Sequence, residues 1–380
     1  MLAALDQRAV VAAGSAFVLA FAFTLVVRRL ALRWNILDRP TTAPDRKVHS
    51  QPTPLLGGLA IFAAFFIVVF GIVLFIPDLL NSLPMKALAG VFLGSVVLMV
   101  GGMIDDIRPQ TPGRQIYWPL LAAFVAVAGG IGVNFISNPF GGVLWLDRVQ
   151  WGPITVWADL FTVLWLMGMM YTTKLLDGLD GLVSGVTAIG GLIVAIVSLR
   201  PEVDQPTTAL LALVLSASCL GFLRWNWNPA RIFLGEGGSL LTGFLLGSLA
   251  IISGGKIATA LLIMGLPILD VVWVMMRRTV IEHRSPFRSP DRKHLHFRLL
   301  DIGLSPRQSV LLLYFITAVF GSATLFVHGM TKLVVLLLLV IFMFALGILF
   351  SLKQRHAQKQ NTPRSTSSED NVHTRGEKER

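Results

Sequence analysis

The sequence predicts an all-α integral membrane protein with about eleven transmembrane helices, an N-terminus outside the cell and a cytoplasmic C-terminus. Three observations predict this fold class. First, 54% of the 380 residues are hydrophobic and 14% are charged, whereas about a quarter of a typical soluble domain is charged. Second, apolar runs long enough to span a bilayer recur along the chain. Third, the basic residues are distributed unevenly between the segments that join these runs.

The apolar runs give the order of the predicted spans. A helix needs about 20 apolar residues to cross the hydrocarbon core. Such runs lie at 9–27, 56–77, 85–104, 117–136, 154–173, 182–199, 207–223, 238–253, 256–276, 309–327 and 332–352. A cleaved signal peptide is the alternative for the first run, but Arg28 and Arg29 follow it without a small-residue cleavage site.

The distribution of positive charge orients the spans. The formal net charge is +11, and 26 of the 32 Lys and Arg residues fall in the segments assigned to the inside. This asymmetry is what the positive-inside rule requires, so the charge indicates a lipid bilayer as partner and not nucleic acid. We expect residues 1–352 to form a single polytopic domain and the polar residues 353–380 to form a disordered cytoplasmic tail.

Two features lie away from the inner face. Segment 137–153 is predicted to be a Gly/Pro turn with a small hairpin, and its tryptophans are typical of an interfacial belt. The single cysteine, Cys219, lies in an apolar run and excludes a disulfide within the chain. We expect it to be a small buried apolar side chain.

Several carboxylates fall at one predicted depth, the cytoplasmic ends of the spans. They are Asp105 and Asp106 after the third span, Asp177 and Asp180 after the fifth, Glu236 after the seventh and Asp270 within the ninth. Adjacent acids such as Asp105 and Asp106 suit a Mg²⁺ ion that holds a diphosphate, or one of them could act as a base. The alternative is a solvated helix end.

Two glycine-rich motifs border this region. The first motif is Lys174-Leu175-Leu176-Asp177-Gly178-Leu179-Asp180-Gly181-Leu182. If this segment is helical, both aspartates project from one face of the helix. The alternative is a turn in which Asp180 is the N-cap of the next helix. The loop from Asn226 to Ser239 contains Arg231, which could neutralise phosphate, and its glycines could offer N–H groups to phosphate. The alternative for this loop is a flexible turn.

Basic residues and histidines complete the candidate set. Arg292, Lys293, His294 and His296 lie in the longest inside segment, where phosphate or sugar recognition competes with a plain basic loop. A zinc site is disfavoured because the spacing matches no common one. For Asp270 the alternatives are a functional intramembrane acid and an ion pair with Arg277 or Arg278. Lys47 and His49 could reach phosphates, and the Gly57-Gly58 pair after them predicts close helix packing.

These motifs together resemble the polyprenyl-phosphate N-acetylhexosamine-1-phosphate transferase family. The resemblance runs from about Arg46 to Gln308 and is most specific in the Asp-Gly-Leu-Asp-Gly-Leu run that begins at Asp177. It implies an enzyme of the bacterial inner membrane, with an active site facing the cytoplasm. There undecaprenyl phosphate attacks the β-phosphate of a UDP-sugar, most often UDP-N-acetylglucosamine (UDP-GlcNAc), and UMP leaves. Such products begin peptidoglycan, O-antigen and teichoic-acid glycans.

The resemblance also assigns roles to residues. Asp105 and Asp106 would lie at the lipid-phosphate end, Asp177 and Asp180 would shape the nucleotide-diphosphate pocket, and His294 and His296 would face sugar or phosphate. The residues expected to bind substrate are Lys47, His49, Lys174, Arg231, Asp270, Arg292 and Lys293. The predicted cofactor is Mg²⁺ or Mn²⁺, with Glu236, Asp105, Asp106 and Asp180 as the candidate ligands.

The chain departs from the family pattern at that metal position. The family commonly has Asn where this chain has Lys174 and Asp where it has Glu236, and those two positions hold Mg²⁺. A protonated ammonium has no lone pair with which to bind a metal. We therefore expect a compensated swap, in which Lys174 pairs with Glu236 or with the diphosphate and the need for metal is weakened.

Other functions remain as alternatives. Within the family, a phospho-N-acetylmuramoyl-pentapeptide transferase or another UDP-hexosamine donor fits the same motifs. A transporter would place polar groups near the bilayer midplane, and a membrane prenyltransferase would not need the His294–His296 segment. A catalytically silent relative is suggested by Lys174 and Glu236. The oligomeric state stays open, a homodimer included.

Overall fold

The chain folds into a helical bundle in the computed structural model, which describes residues 7–40, 51–80, 83–137, 142–152, 154–253, 257–281, 283, 294–327 and 330–361. The helices are α1 (Gln7–Arg33), α2 (Gly58–Phe75), α3 (Met85–Ile107), α4 (Pro112–Gln115), α5 (Tyr117–Ala128), α6 (Val156–Leu176), α7 (Leu182–Ser198), α8 (Pro206–Asn226), α9 (Gly235–Ile252), α10 (Ile257–Ile263), α11 (Gly265–Met276), α12 (Leu295–Asp301), α13 (Pro306–Ala323) and α14 (Met330–Asn361). A 3₁₀ turn, Pro77–Leu80, follows α2, and a π-helical turn, Arg277–Ile281, follows α11.

Each predicted apolar run overlaps a helix or a pair of helices. Five of them, α1, α2, α3, α8 and α9, are long and apolar enough to cross a membrane, and the bent pair α10–α11 would make a sixth. Two shorter apolar helices cover Leu182–Ser198 and Met330–Leu346. These counts refer to the described residues, and they agree with an all-α, multi-pass membrane protein.

The ninth predicted span, 256–276, is broken in the structure. It breaks at Met264 into α10 and α11, whose axes differ by 76°. Pro267 explains the break, because proline has no N–H to donate to the carbonyl of Ile263 and its ring clashes with that group. The fourth span, 117–136, is also shorter than predicted. Helix α5 ends at Ala128, and Gly130 adopts φ +93° just beyond it, a common helix stop.

Short strands and a longer last helix complete the chain. Strands β1 (Leu37–Asp38) and β2 (Thr53–Pro54) pair antiparallel before α2. The predicted outer hairpin consists of two, β3 (Phe135–Ser137) with β4 (Val143–Trp145) and β5 (Gln150–Trp151) with β6 (Ile154–Thr155). Residues 138–141 and 153 lie outside the described part. Helix α14 continues to Asn361, into the predicted tail, and residues 362–380 are not described.

The main core is an apolar cluster in which α7 and α1 pack on α8, and α6 and α3 pack on α9. Cys219 is fully buried there, as predicted. A second, small cluster consists of Ala31, Ile36 and Leu56. Glycines bring backbones together near the start of α9. A Cβ on Gly58 would overlap Gly238, and one on Gly102 would overlap Gly237. The predicted packing role of Gly58 is therefore confirmed, because small residues allow the close approach that stabilises membrane helices.

Candidate active site

The segments predicted to lie on one side of the membrane do meet at one end of the bundle. The end of α1 reaches the loop before α9, because Arg28 Nε donates to the carbonyl of Arg231 at 3.1 Å. The ends of α3 and α6 meet the start of α9 through side-chain contacts of Asp106 and Lys174 with Glu236. Acidic residues that are far apart in the sequence therefore converge, as the sequence predicts.

At the centre of this end lies a chain of contacts that we call the acid–lysine network: Asp105, Gln115, Lys174, Glu236 and Asp106. Lys174 Nζ contacts Glu236 Oε1 and donates to Gln115 Oε1 at 2.9 Å. Gln115 Nε2 in turn lies 3.2 and 3.1 Å from the two carboxylate oxygens of Asp105. The expected pairing of Lys174 with Glu236 is confirmed.

Asp106 ties the end of α3 to the start of α9. Its Oδ1 accepts a hydrogen bond from the backbone N–H of Glu236 at 3.0 Å. The first N–H groups of a helix have no partner within the helix and carry partial positive charge, so a carboxylate there is stabilising. Gly235 has φ +78°, and a Cβ at this position would collide with Asp106 Oδ2. Glycine is thus required for this contact.

Asp180 fixes the loop between α8 and α9. Its Oδ2 accepts hydrogen bonds from Asn228 Nδ2 and from the backbone N–H of Ala230, both at 2.9 Å. The N-cap of α7 is Gly181, with φ +81°, so Asp180 is not the N-cap that the alternative interpretation proposed. One oxygen of Asp180 therefore holds the Pro229–Gly235 motif in place beside Asp177.

Asp177 is the most exposed acid of this region. It follows directly after the last residue of α6, and its side chain is exposed. Protein atoms nevertheless crowd the carboxyl group, and this desolvation, together with the charges of Glu236 and Asp180, raises the pKa of Asp177 to about 7. A group with such a pKa can take up or release a proton near neutral pH.

A second polar cluster lies at α12, and we call it the histidine clamp: Asp270, His294 and the N–H of Leu295. Asp270 Oδ2 lies 2.9 Å from His294 Nδ1, and Asp270 Oδ1 accepts from the Leu295 N–H at 2.8 Å. These contacts connect α11, which carries Asp270, with the start of α12. The alternative of an ion pair with Arg277 or Arg278 stays open.

His296 joins the histidine clamp to the Asp177 motif. Its ring stacks on that of His294, with centroids 5.7 Å apart and planes 5° apart. His296 Nε2 lies directly against Gly178, where a Cβ would collide with the ring. Burial, partly offset by the charge of Asp270, lowers the pKa of His296 to about 4. This imidazole is therefore neutral at pH 7.

The remaining predicted residues divide into two groups. Arg231 is exposed at the same end of the bundle, with its guanidinium 5.5 Å from the ring centre of Trp225. Lys47, His49, Arg292 and Lys293 lie outside the described residues. Their predicted roles in binding phosphate stay predictions.

Sequence reasoning missed three residues that build the site. Gln115 bridges Asp105 and Lys174. Asn226 Oδ1 accepts from the Gly181 N–H at 3.0 Å, and its Nδ2 donates to Ile232. Tyr314 donates to the carbonyl of Gly181. Asn226 stands in a motif that the sequence does single out, but Gln115 and Tyr314 carry no pattern that would have revealed their partners.

The residues present do not fit the divalent cation that the resemblance places at Lys174 and Glu236. The ammonium group of Lys174 lies on the carboxylate that would bind the ion, and it has no lone pair to offer. Among the described residues, no group of three or more His, Cys, Asp or Glu side chains is arranged to hold a metal. The predicted Mg²⁺ or Mn²⁺ stays a prediction, weakened at this position.

Comparison with known proteins indicates the same family as the sequence motifs do. The profile of "Glycosyl transferase family 4" matches residues 88–254. The chain is 33% identical over 329 residues to a probable undecaprenyl-phosphate N-acetylglucosaminyl 1-phosphate transferase of Bacillus subtilis, covering 84% of this chain and 86% of the relative.

Two further relatives carry similar names. A decaprenyl-phosphate N-acetylglucosaminephosphotransferase of Mycolicibacterium smegmatis is 32% identical, over 81% of this chain and 80% of its own. An undecaprenyl-phosphate alpha-N-acetylglucosaminyl 1-phosphate transferase of Escherichia coli is 26% identical, over 88% of each chain. With a relative above 30% identity along most of its length, this chain belongs to glycosyl transferase family 4.

Proposed function

We propose that this protein is a phosphotransferase that moves N-acetylglucosamine 1-phosphate from UDP-GlcNAc to a polyprenyl phosphate and releases UMP. The observation that carries this proposal is the similarity to the Bacillus subtilis relative, which covers 84% of the chain. The convergence of the acids with Lys174 at one end of the bundle supports it. Undecaprenyl phosphate is the proposed acceptor, and the product would begin a cell-envelope glycan such as a teichoic acid or lipopolysaccharide.

The proposed reaction exchanges one phosphoanhydride bond for another. An oxygen of the polyprenyl phosphate attacks the β-phosphorus of UDP-GlcNAc, the bond from that phosphorus to the oxygen of the α-phosphate breaks, and UMP leaves with the electron pair. Both reactants are anions. A phosphate monoester has a second pKa of about 6, so the acceptor is largely a dianion at pH 7. The protein must therefore reduce charge repulsion and align the two phosphates more than it must remove a proton.

The described residues divide this work between them. Lys174 provides positive charge where the ends of α3, α6 and α9 meet. Asp177, exposed and with a pKa of about 7, is placed to exchange a proton with a phosphate. Asp180 and Asp106 hold the adjoining loop and helix start through backbone N–H groups. His294 and His296 are buried and stacked on each other, and they would hold α12 against the loop that carries Asp177.

The membrane arrangement forms part of the proposal. Residues 1–352 would form one catalytic domain with eleven spans, an outside N-terminus and a cytoplasmic C-terminus, in the inner membrane of a bacterium. The site would then open to the cytoplasm, where UDP-sugars are made. The excess of Lys and Arg in the inside segments supports this orientation. Cysteine labelling from each side of sealed vesicles, at positions in 105–116 and 137–153, tests it.

Transfer with purified components tests the reaction itself. The protein in nanodiscs would receive labelled UDP-GlcNAc and undecaprenyl phosphate, and both lipid-linked sugar and UMP would be measured. Equal amounts of the two products support the proposal. Absence of both with every UDP-sugar of a panel that includes UDP-GlcNAc and UDP-N-acetylmuramoyl-pentapeptide would contradict it and favour a silent relative. Flux of substrate into liposomes without UMP would indicate a transporter. The molar mass of the purified protein, measured by light scattering, would show whether it is a homodimer.

A further inference from the structure

Lys174 lies where the acid-bearing ends of three long helices meet. It stands in the last turn of α6, Glu236 in the first turn of α9 and Asp105 near the end of α3. Through Gln115 on the short helix α4, the lysine is also connected to Asp105. The positive group is thus anchored from several directions by elements far apart in the sequence.

The anchoring leaves the ammonium group able to meet a ligand. The side chains of Lys174 and Glu236 keep 17% and 19% of their surface exposed. An ammonium group has three N–H donors. The contacts to Gln115 and Glu236 use two of them, and the ring of Tyr171 lies 5.6 Å from Nζ without accepting a conventional hydrogen bond. The third donor and the remaining exposed surface can therefore approach an anion that enters from the polar end of the bundle.

A metal ion and this ammonium group compete for one position. Glu236 Oε1 already contacts Lys174 Nζ, so a divalent cation on the same carboxylate oxygen would lie beside a positive charge. Repulsion between the two cations would weaken metal binding. Conversely, the lysine supplies positive charge at the point where a diphosphate approaches the acids, and a compact ammonium is an established phosphate-binding group.

We propose that Lys174 is the resident cation of this site, held in place by Glu236 and Gln115, and that it binds the diphosphate of the donor without a divalent ion between it and Glu236. This inference rests on the proposed function for the identity of the donor. It makes Lys174 a substrate-contacting residue, and it makes Glu236 and Gln115 positioning residues.

Binding of UDP-GlcNAc to the purified protein tests the inference without requiring turnover. Wild-type protein in nanodiscs should bind the nucleotide sugar with equal affinity, within about twofold, in excess chelator and in Mg²⁺. Lys174→Gln should weaken binding at least tenfold in chelator, and Lys174→Arg should retain most of it. Lys86→Gln, at the exposed opposite end of α3, is the matched control and should leave affinity unchanged.

Metal binding gives a second, independent measurement. Titration of Mn²⁺ followed by electron paramagnetic resonance should show no bound ion at this position in the wild type, and the double variant Lys174→Asn with Glu236→Asp should gain one. Gel filtration and thermal unfolding of each variant exclude misfolding as the cause. Wild-type binding that disappears with chelator and returns with Mg²⁺, or a Lys174→Gln variant that binds normally in chelator, would overturn the inference.

The binding experiments on Lys174 and the transfer assay can fail independently of each other. If UDP-GlcNAc binds independently of metal and dependently on Lys174, the inference stands even when no lipid-linked sugar forms, and only the proposed function fails. If lipid-linked sugar and UMP form but binding needs Mg²⁺, the reaction stands and the inference fails.

Discussion

The acid–lysine network and the histidine clamp are both polar clusters in an apolar bundle, but they differ in access. Lys174 and Glu236 keep 17% and 19% of their side-chain surface exposed, whereas His294 and Asp270 keep 9% each and His296 is 1% exposed as a residue. The difference teaches that the first cluster can meet substrate directly, while the second mainly holds α12 against the Asp177 motif.

The largest effect is expected when Asp270, the carboxylate of the histidine clamp, is removed. Asp270→Ala leaves the Leu295 N–H and His294 without their acceptor inside the protein. A buried hydrogen-bonding group left without its partner costs about 1–3 kcal/mol, so for these two groups together we expect a decrease of about 3 kcal/mol in the free energy of unfolding, measured by denaturant titration in detergent. Asp301→Ala, an exposed acid at the end of α12, should change stability little. Equal losses in the two variants would show that the clamp is not structural.

The contact between the two regions can be altered at Gly178. In Gly178→Ala the new methyl group meets the His296 ring, and overpacking of this kind costs about 2 kcal/mol. We expect that loss of stability together with reduced UDP-sugar binding, because the loop carrying Asp177 must move. Gly168→Ala on α6 is the control, since a methyl group there meets nothing within 4 Å. Normal stability and normal UDP-sugar binding in the Gly178 variant would show that the histidine clamp does not influence the acid–lysine network.

Acid should weaken the packing of His296 against His294 and Gly178. In the unfolded chain His296 would have a pKa near 6.5, but in the folded protein burial lowers the pKa to about 4. The unfolded state therefore binds more protons between these values, and stability falls as the pH decreases through that window. Between pH 7 and 5.5 the contribution of His296 is about 1 kcal/mol.

A pair of histidine variants isolates that contribution. Thermal unfolding at both pH values should show a smaller pH-dependent decrease in His296→Gln than in the wild type. His283→Gln, at an exposed position, should retain the wild-type decrease. If His296→Gln and the wild type lose the same stability on acidification, the imidazole is not the group that titrates.

The smallest effect is expected at Gln115. Gln115→Leu removes the bridge between Lys174 and Asp105 but leaves the contact of Lys174 with Glu236. A net hydrogen bond contributes about 1 kcal/mol, so a roughly fivefold increase in the KM for UDP-GlcNAc, with little change in kcat, is expected from steady-state kinetics. Gln110→Ala is the control, because its side chain is not used in the network and its backbone N–H contact with Asp105 remains. A change in kcat alone would point to a different role.

Much of the fold and the centre of the site could be predicted from the sequence. Helix positions follow from hydrophobic runs, and the convergence of Asp105, Lys174 and Glu236 follows from counting spans and charges. The pairing of Lys174 with Glu236 could be expected from two coordinated departures from one family pattern.

Other features depend on contacts that no local pattern encodes. Gln115 became part of the network because α4 turns back towards α6, which the sequence does not show. Hydrophobicity alone could not reveal the break at Met264, although Pro267 was visible. The contact of Asp270 with His294, which lies 24 residues further along the chain, was not among the alternatives that the sequence suggested.

The glycine contacts of α9 restrict how substrates can reach the site. Gly237 and Gly238 lie against Gly102 of α3 and Gly58 of α2, so these three helices touch along their backbones and have no side chains there that could rotate aside. A lipid tail cannot pass between them. Any path by which a lipid reaches this end of the bundle must therefore avoid the contact between α2, α3 and α9.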